Sequence, residues 1–299
     1  MQDSHKVSII ITTFNGSSYI RETIESVINQ TYKNWELIIL DDGSNDNTCE
    51  IISEIKDERV FLYKVGRIGI NGKVKNIGLT KCSGELIAFI DHDDLWHSEK
   101  LEKQVAALQA YPEAGFCLTG GYNFISNIEP VEYFYNRNKG LRVENIFMPI
   151  FQSKIAVWTQ ALLVKNECLQ SIGTFNETSM FADPEFIYRL AYHYDAVILY
   201  EPLLYHRIHS NSHTSLNWEK CHYDGIEVFK SYRKKKMLPK TLAKSILFRS
   251  YLNFGEKNLQ LGKKEKAIRS FLSAYKEKPL NILPLKKIAK VILYSVKGK

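Results

Sequence analysis

The run Glu85-Leu86-Ile87-Ala88-Phe89-Ile90-Asp91-His92-Asp93-Asp94 constrains this chain more than any other. Its apolar residues suit a strand buried on both faces, and that strand empties directly into three carboxylates. Crowded carboxylates beside an apolar core raise one another's pKa values unless a cation neutralises them. A divalent ion is the natural occupant, because Mg²⁺ and Mn²⁺ prefer carboxylate oxygens. Mg²⁺ takes one or two from protein and completes its shell with water and substrate phosphates. The pattern therefore predicts a phosphate-bearing substrate. The alternative is an acidic turn that caps a helix starting near Ser98.

The surrounding sequence places this strand in a repeating α/β pattern. Strands are expected over 7–11, 36–40, 60–64 and 86–90, with helices over 19–29, near 49–55, over 74–82 and around 101–108. Alternation of this kind predicts a Rossmann-like, mostly parallel sheet flanked by helices, with ligands at the carboxyl ends of the strands. Thr12 to Asn15, Asp41 to Ser44 and Asp91 to Asp94 all fall at such ends. Beyond 115 the pattern is less regular, with β-like pieces over 115–119 and 159–164. A helix is expected to begin at Asp183-Pro184, with Asp183 at its N-cap and Pro184 at its first position. From about Cys221 onward the chain reads as helical. Within that stretch, Tyr251-Leu252, Gly262, Ala267, Phe271, Ala274 and Pro279 are spaced like one tetratricopeptide-type hairpin. The expected domains are 1–220, with halves 1–115 and 116–220, and a basic helical region over 221–299.

Composition excludes several classes. At 299 residues and 44% hydrophobic content the chain can bury a sizeable core. No apolar stretch reaches the roughly 18 residues of a membrane span, and strand-like sequence at Val7 follows the start too closely for a signal peptide. A cytoplasmic protein is expected. Its five cysteines are scattered without a Cys-x-x-Cys pair, which argues against a disulfide framework and against zinc. The net charge of +7 is concentrated in the last quarter, at 233–236, 263–264, 286–287, 297 and 299. No aromatic-interleaved groove accompanies it, so nucleic acid is not the expected partner. Over 280–296, apolar residues alternate with Lys286, Lys287 and Lys290. That composition suits a helix lying in anionic headgroups, on the inner face of the plasma membrane, or one packed on protein.

Four segments together resemble the family 2 nucleotide-sugar glycosyltransferases of the glycosyltransferase A-type fold. They are Val7-Ser8-Ile9-Ile10-Ile11-Thr12-Thr13-Phe14-Asn15, Leu40-Asp41-Asp42-Gly43-Ser44-Asn45-Asp46, Lys75-Asn76-Ile77-Gly78 and the run from Gly84 to Asp94. The resemblance covers roughly residues 6 to 215. It implies nucleotide contacts from Thr12, Phe14, Asn15, Asp42, Lys75 and Asp91. Phe14 would lie against the base and Asp42 would accept from a uracil-type imide N–H. Core packing for Phe14, helix capping for Asp42 and a solvated lysine for Lys75 are the plainer alternatives. Asp93 would coordinate Mn²⁺ or Mg²⁺, and His209, in Tyr205-His206-Arg207-Ile208-His209, would touch metal or diphosphate, while Arg207 supports the loop.

The base is the less direct transfer. The family carries Glu-Asp where this chain has Ala182-Asp183, and Asp183 would be the general base of an inverting, single-sugar transfer. The implied partners are a nucleotide-sugar donor and a glycan or lipid-linked glycan acceptor. The missing glutamate and the helical tail also suit a noncatalytic nucleotide-sugar-binding or scaffolding protein. A nucleotidyltransferase would want a Gly-rich triphosphate loop, and none lies near the first strand. Tyr122, Phe124, Tyr133, Phe134, Tyr135 and Trp158 are candidates for a sugar platform or for packing.

Overall fold

The computed structural model describes residues 5–125, 130–134, 140–209 and 216–296. The candidate platform residues Tyr133, Phe134 and Tyr135 have side chains outside the described set, as do the lysines at 297 and 299. The chain divides into two compact units, Met1–Ser212 and His213–Lys299.

The first unit is built on a large sheet ordered β3-β2-β1-β4-β9-β6-β10-β5, with β7 on β6 and β8 on β10. Its centre is β1 (Val7–Thr13), flanked by β2 (Trp35–Asp41) and β4 (Leu86–Asp91), and β3 (Val60–Lys64) lies outside β2. All of β1 and β2 is buried, as expected for β-rich sequence covered by helices on both faces. These four strands are parallel, and their register decides the chemistry: Thr12 lies opposite Asp91 and Thr13 opposite Asp41. One edge of the sheet therefore collects the polar residues that end three strands.

Helix α1 (Ile20–Ile28) buries Ile20, Ile24 and Val27 on one stripe, and α2 (Thr48–Ser53) follows β2. Helix α3 spans Asn71–Leu79, three residues earlier at each end than its apolar pattern suggested. Its buried face includes Gly72, Lys75, Asn76 and Gly78, which a reading of hydrophobic periodicity passes over.

The rest of the sheet is mixed rather than parallel. After β5 (Leu95–Trp96) and α4 (Lys100–Ala110), β6 (Phe116–Phe124) leads through β7 (Pro130–Phe134), β8 (Leu141–Glu144) and α5 (Phe147–Phe151). A short 3-10 turn (Thr159–Ala161) precedes β9 (Leu162–Lys165), which runs antiparallel between β4 and β6. Helices α6 (Asn166–Ile172) and α7 (Ala182–His193) and strand β10 (Ala196–Arg207) complete the unit. Helix α7 is capped by Phe181, whose carbonyl accepts from Glu185 N at 3.3 Å. Asp183 thus lies in the first turn, not at the N-cap, and Pro184 is two positions deeper than expected.

The second unit contains α8 (Trp218–Lys234), α9 (Lys240–Gln260), α10 (Lys264–Glu277) and α11 (Leu283–Val296). Helices α9 and α10 form the hairpin that the sequence spacing suggested. Gly262 makes the turn with φ of 73°, a conformation costly for residues with a Cβ. Ala267, Phe271 and Val291 form its core, against Leu252, Leu259, Ile268 and Ile288.

Candidate active site

The carboxyl ends of β1, β2 and β4 meet the end of β10 and the start of α7. Carboxylate oxygens of Asp91, Asp93 and Asp94 lie within 4.8 Å of one another. Each is engaged differently, and the partners separate their roles.

Asp94 is fully buried. It accepts from Arg207 N at 2.9 Å and from the His206 imidazole at 3.0 Å. Burial pushes Asp94 up to about 6 against the pull of His206. Burial opposes the His206 charge as well, but Asp94 outweighs it and carries the imidazole up to about 9. At neutral pH the two form an ion pair that ties the acidic loop to β10.

Asp91 accepts from the Gln160 side-chain amide and lies 3.9 Å from the Lys75 ammonium. Burial raises its pKa; Lys75 opposes this, and Asp183 and Asp93 add to it. Asp93 faces His209, whose Nε2 lies 2.7 Å from its Oδ2. The Arg207 guanidinium donates to the Asp93 carbonyl at 2.9 Å and to Glu22 at 2.7 Å, and it covers the rings of Tyr19 and Phe124. Tyr19 in turn packs on His209, with ring centroids 5.1 Å apart.

These contacts test whether the residues suit a divalent ion. Asp94 is already neutralised, and Asp91 has the amide and ammonium. Asp93 and His209 remain as an anionic oxygen beside an imidazole nitrogen, a donor pair that fits a divalent ion. The residues present fit the ion.

Just past the end of β1, Phe14 is 36% exposed and is not a core residue. The Arg67 guanidinium lies over its ring, 3.7 Å from the centroid. Asp42 does not cap α2, where Asp46 serves Thr48 N at 3.1 Å. Its carboxylate instead accepts from Ile68 N at 2.5 Å, Gly69 N at 2.9 Å and the Arg67 guanidinium. Asp42 is thus the anchor of the 66–70 loop. Gly43, with φ of 79°, leaves room for that loop, since a Cβ there would meet Arg67 N at 2.9 Å.

Thr12 donates to Asn71 Oδ1 at 2.6 Å. Asn15, with φ of 51°, accepts from Asn45 N at 2.9 Å through its side-chain oxygen and donates its own backbone N–H to Ser44 Oγ at 2.9 Å. Both residues hold together the loops around the site.

Lys75 is neither solvated nor turned outward. It is 1% exposed, and its ammonium lies 2.8 Å from both carboxylate oxygens of Asp183. Burial opposes the charge, yet Asp183 and Asp91 outweigh it and hold the ammonium above the ordinary lysine value. Asp183 is 28% exposed, so it keeps an open side. Nearby Glu185 is turned to Arg189 at 2.7 Å and Glu177 to Asn76 at 3.0 Å.

Arg67, Gln160 and the His206–Asp94 pair escaped the sequence reading. The only local signals were a polar residue opening a buried run at Gln160 and two glycines flanking Arg67 in 66–69.

Comparison with known proteins decides the family. The sequence profile described as "Glycosyl transferase family 2" matches residues 8–163, more than half of the chain. The chain belongs to glycosyl transferase family 2. An uncharacterized glycosyltransferase of Rickettsia typhi is 30% identical over 217 residues, covering 71% of this chain and 67% of the relative. The Escherichia coli UDP-Glc:alpha-D-GlcNAc-diphosphoundecaprenol beta-1,3-glucosyltransferase WfgD is 36% identical over 146 residues, 45% of this chain and 55% of that protein.

Among solved structures, S. aureus TarS 1-349 in complex with UDP-GlcNAc superposes with a TM-score of 0.70 at 17% identity, covering 91% of this chain and 81% of that one. The Pyrobaculum calidifontis mannosyltransferase PcManGT, in complex with GDP-Man and Mn²⁺, gives 0.59 at 16% identity, with coverages of 99% and 81%. The fold is the glycosyltransferase A type, and this family 2 member is a nucleotide-sugar glycosyltransferase. No described helix is long and apolar enough to cross a membrane.

Proposed function

We propose that this glycosyltransferase moves one sugar from a UDP-linked donor, with inversion, to a hydroxyl of a lipid-linked or surface glycan. The observation that carries the reading is the shared Lys75 ammonium, which touches Asp183 at 2.8 Å and Asp91 of the acidic loop at 3.9 Å. It brings a partly exposed carboxylate next to the seat expected for the donor diphosphate.

In this reading Asp93 and His209 hold Mn²⁺ or Mg²⁺, which supplies Lewis-acid stabilisation of the departing diphosphate. Asp91 faces the donor ribose or the ion's surroundings, while Phe14 and Arg67 frame the base. Asp183 takes the proton of the acceptor hydroxyl. As it does so, the acceptor oxygen bonds to the anomeric carbon, the carbon–oxygen bond to the diphosphate breaks, and the electron pair leaves with UDP. Removal of that proton by a placed carboxylate contributes on the order of 10² to 10⁴ in rate. One attacking oxygen and one departure give inversion in a single displacement.

The relatives WfgD and WfaP, both named for UDP-Glc and a diphosphoundecaprenol acceptor, support the UDP donor and the lipid-linked acceptor. Such an acceptor lies at a membrane surface. Helix α11 exposes Leu285, Ile292 and Leu293 beside Lys286 and Lys290, a face that suits anionic headgroups and peripheral attachment to the cytoplasmic leaflet.

Calorimetric titration with UDP, dTDP and GDP, each with Mn²⁺ and again with EDTA, tests the reading. Metal-dependent binding selective for UDP is expected. Selectivity for GDP or dTDP would overturn the donor assignment, and binding of no diphosphate would overturn the whole proposal.

A further inference from the structure

Three residues on one face of α3, at positions i, i+3 and i+4, are joined to the segment that leads into α7. Asn76 makes a two-point lock with the Phe175 backbone: its amide donates to Phe175 O at 2.9 Å and its oxygen accepts from Phe175 N at 2.9 Å. Gly72 admits the same segment, because a Cβ there would stand 2.7 Å from Asn176 O and 2.9 Å from Ala182 Cβ. Lys75, between them, reaches Asp183. Its ammonium also lies on the faces of Phe175 and Phe89, at 5.5 Å and 5.9 Å, and Phe175 stacks on Phe186 of α7 at 4.1 Å. Neither helix nor strand spans 173–181, and the ties from α3 hold this connection together with Arg189, which donates to Thr174 O at 2.6 Å.

We propose that the Gly72-Lys75-Asn76 face of α3 is the device that positions the base, with Lys75 as a positioning residue for Asp183 and not a phosphate ligand. The inference rests on Asp183 being the base. An ammonium bridging both oxygens of a carboxylate fixes the carboxyl plane and leaves the remaining lone pairs to face the acceptor. The same ammonium feels Asp91, so the base and the donor seat share one buried cation. Its removal leaves the Asp183 carboxylate without the cation that fixes its plane and favours its charged form.

The test compares wild type with Lys75→Met, Lys75→Arg and Gly72→Ala. It measures UDP affinity with Mn²⁺ by calorimetry and release of UDP from the donor, with water as acceptor, across pH. Wild type that neither binds nor hydrolyses donor sinks the functional reading itself, before any variant is needed.

If wild type works, Lys75→Met should keep UDP affinity, lower kcat on the order of 100-fold and move the acid limb of kcat/KM to higher pH. Lys75→Arg should restore the limb. Gly72→Ala, which displaces the segment without removing charge, should lower kcat with the limb and UDP affinity unmoved. Loss of UDP affinity in Lys75→Met with an unmoved acid limb would show a phosphate contact and overturn the proposal. An unaltered kcat in both Lys75→Met and Gly72→Ala would also overturn it. If Lys75→Met does not fold, Gly72→Ala decides: unchanged kcat rejects the device and selective loss of kcat supports it.

Discussion

Replacing Asp94 by asparagine removes one negative charge from a fully buried position while keeping its shape and one acceptor for Arg207 N. In the native state burial opposes protonation of His206 but Asp94 holds the proton to about pH 9, whereas the ordinary value is 6.5. The folded value lies above the unfolded one. The stabilisation is therefore complete below pH 6.5 and is lost as pH rises through 9. Asp94 has the same sign, with a folded value of about 6 against 3.8, so its contribution is present below 3.8 and is lost as pH rises through 6.

The interval from 6.5 to about 9 corresponds to at most about 3.4 kcal/mol. The His206 side chain is 26% exposed, and solvent screening reduces this to about 2 to 3 kcal/mol. Urea unfolding between pH 6.5 and 9 in EDTA measures it. A Trp218→Phe background leaves Trp35, Trp96 and Trp158 to report the first unit alone. Wild type should lose about 2 to 3 kcal/mol more than Asp94→Asn over that range, and the His206 imidazole resonance should titrate near its ordinary value in the variant. Parallel stability curves with an unmoved His206 titration would refute the assignment of Asp94 as the counter-ion.

Asp93→Asn and His209→Ala should each weaken Mn²⁺-dependent UDP binding by at least about tenfold in calorimetry, as expected for loss of an ion-binding group; unchanged binding in EDTA and Mn²⁺ alike would remove the ion from this pair. Asp183→Asn should preserve UDP affinity and lower kcat by about 10² to 10⁴; full activity would show that another group takes the proton. In the helical unit, a Cβ at Gly255 would stand 2.4 Å from the buried Phe271 ring. Gly255→Ala should therefore cost about 1 to 3 kcal/mol by overpacking, read as a lower melting temperature. The double variant Lys286→Glu, Lys290→Glu should reduce sedimentation with anionic vesicles at least about tenfold, since each basic residue contributes about 1 kcal/mol; equal sedimentation would show that these lysines do not meet the lipid.

The strands over Val7–Thr13, Trp35–Asp41 and Leu86–Asp91 were legible because residues buried on both faces must be apolar, and a short apolar run ending in carboxylates has few other uses. The start of α3 was not, because its buried positions are filled by glycine, lysine and asparagine, whose burial depends on partners that periodicity does not carry. Likewise β9 could be recognised as a β-like piece, but nothing local says that it runs antiparallel between β4 and β6.

Sequence by itself determined that an α/β sheet would present Thr12, Asp42, Asp91 and Asp93 at strand ends, because strand periodicity and the abrupt change from apolar to acidic residues are local properties. Tertiary structure decided which partners the charged groups meet. Lys75 meets Asp183 across 108 positions, His206 meets Asp94 across 112 and Arg67 reaches Asp42 across 25. A buried charge must find its counter-charge through space, and which element supplies it depends on sheet order, register and helix placement rather than on the residues beside it in the chain.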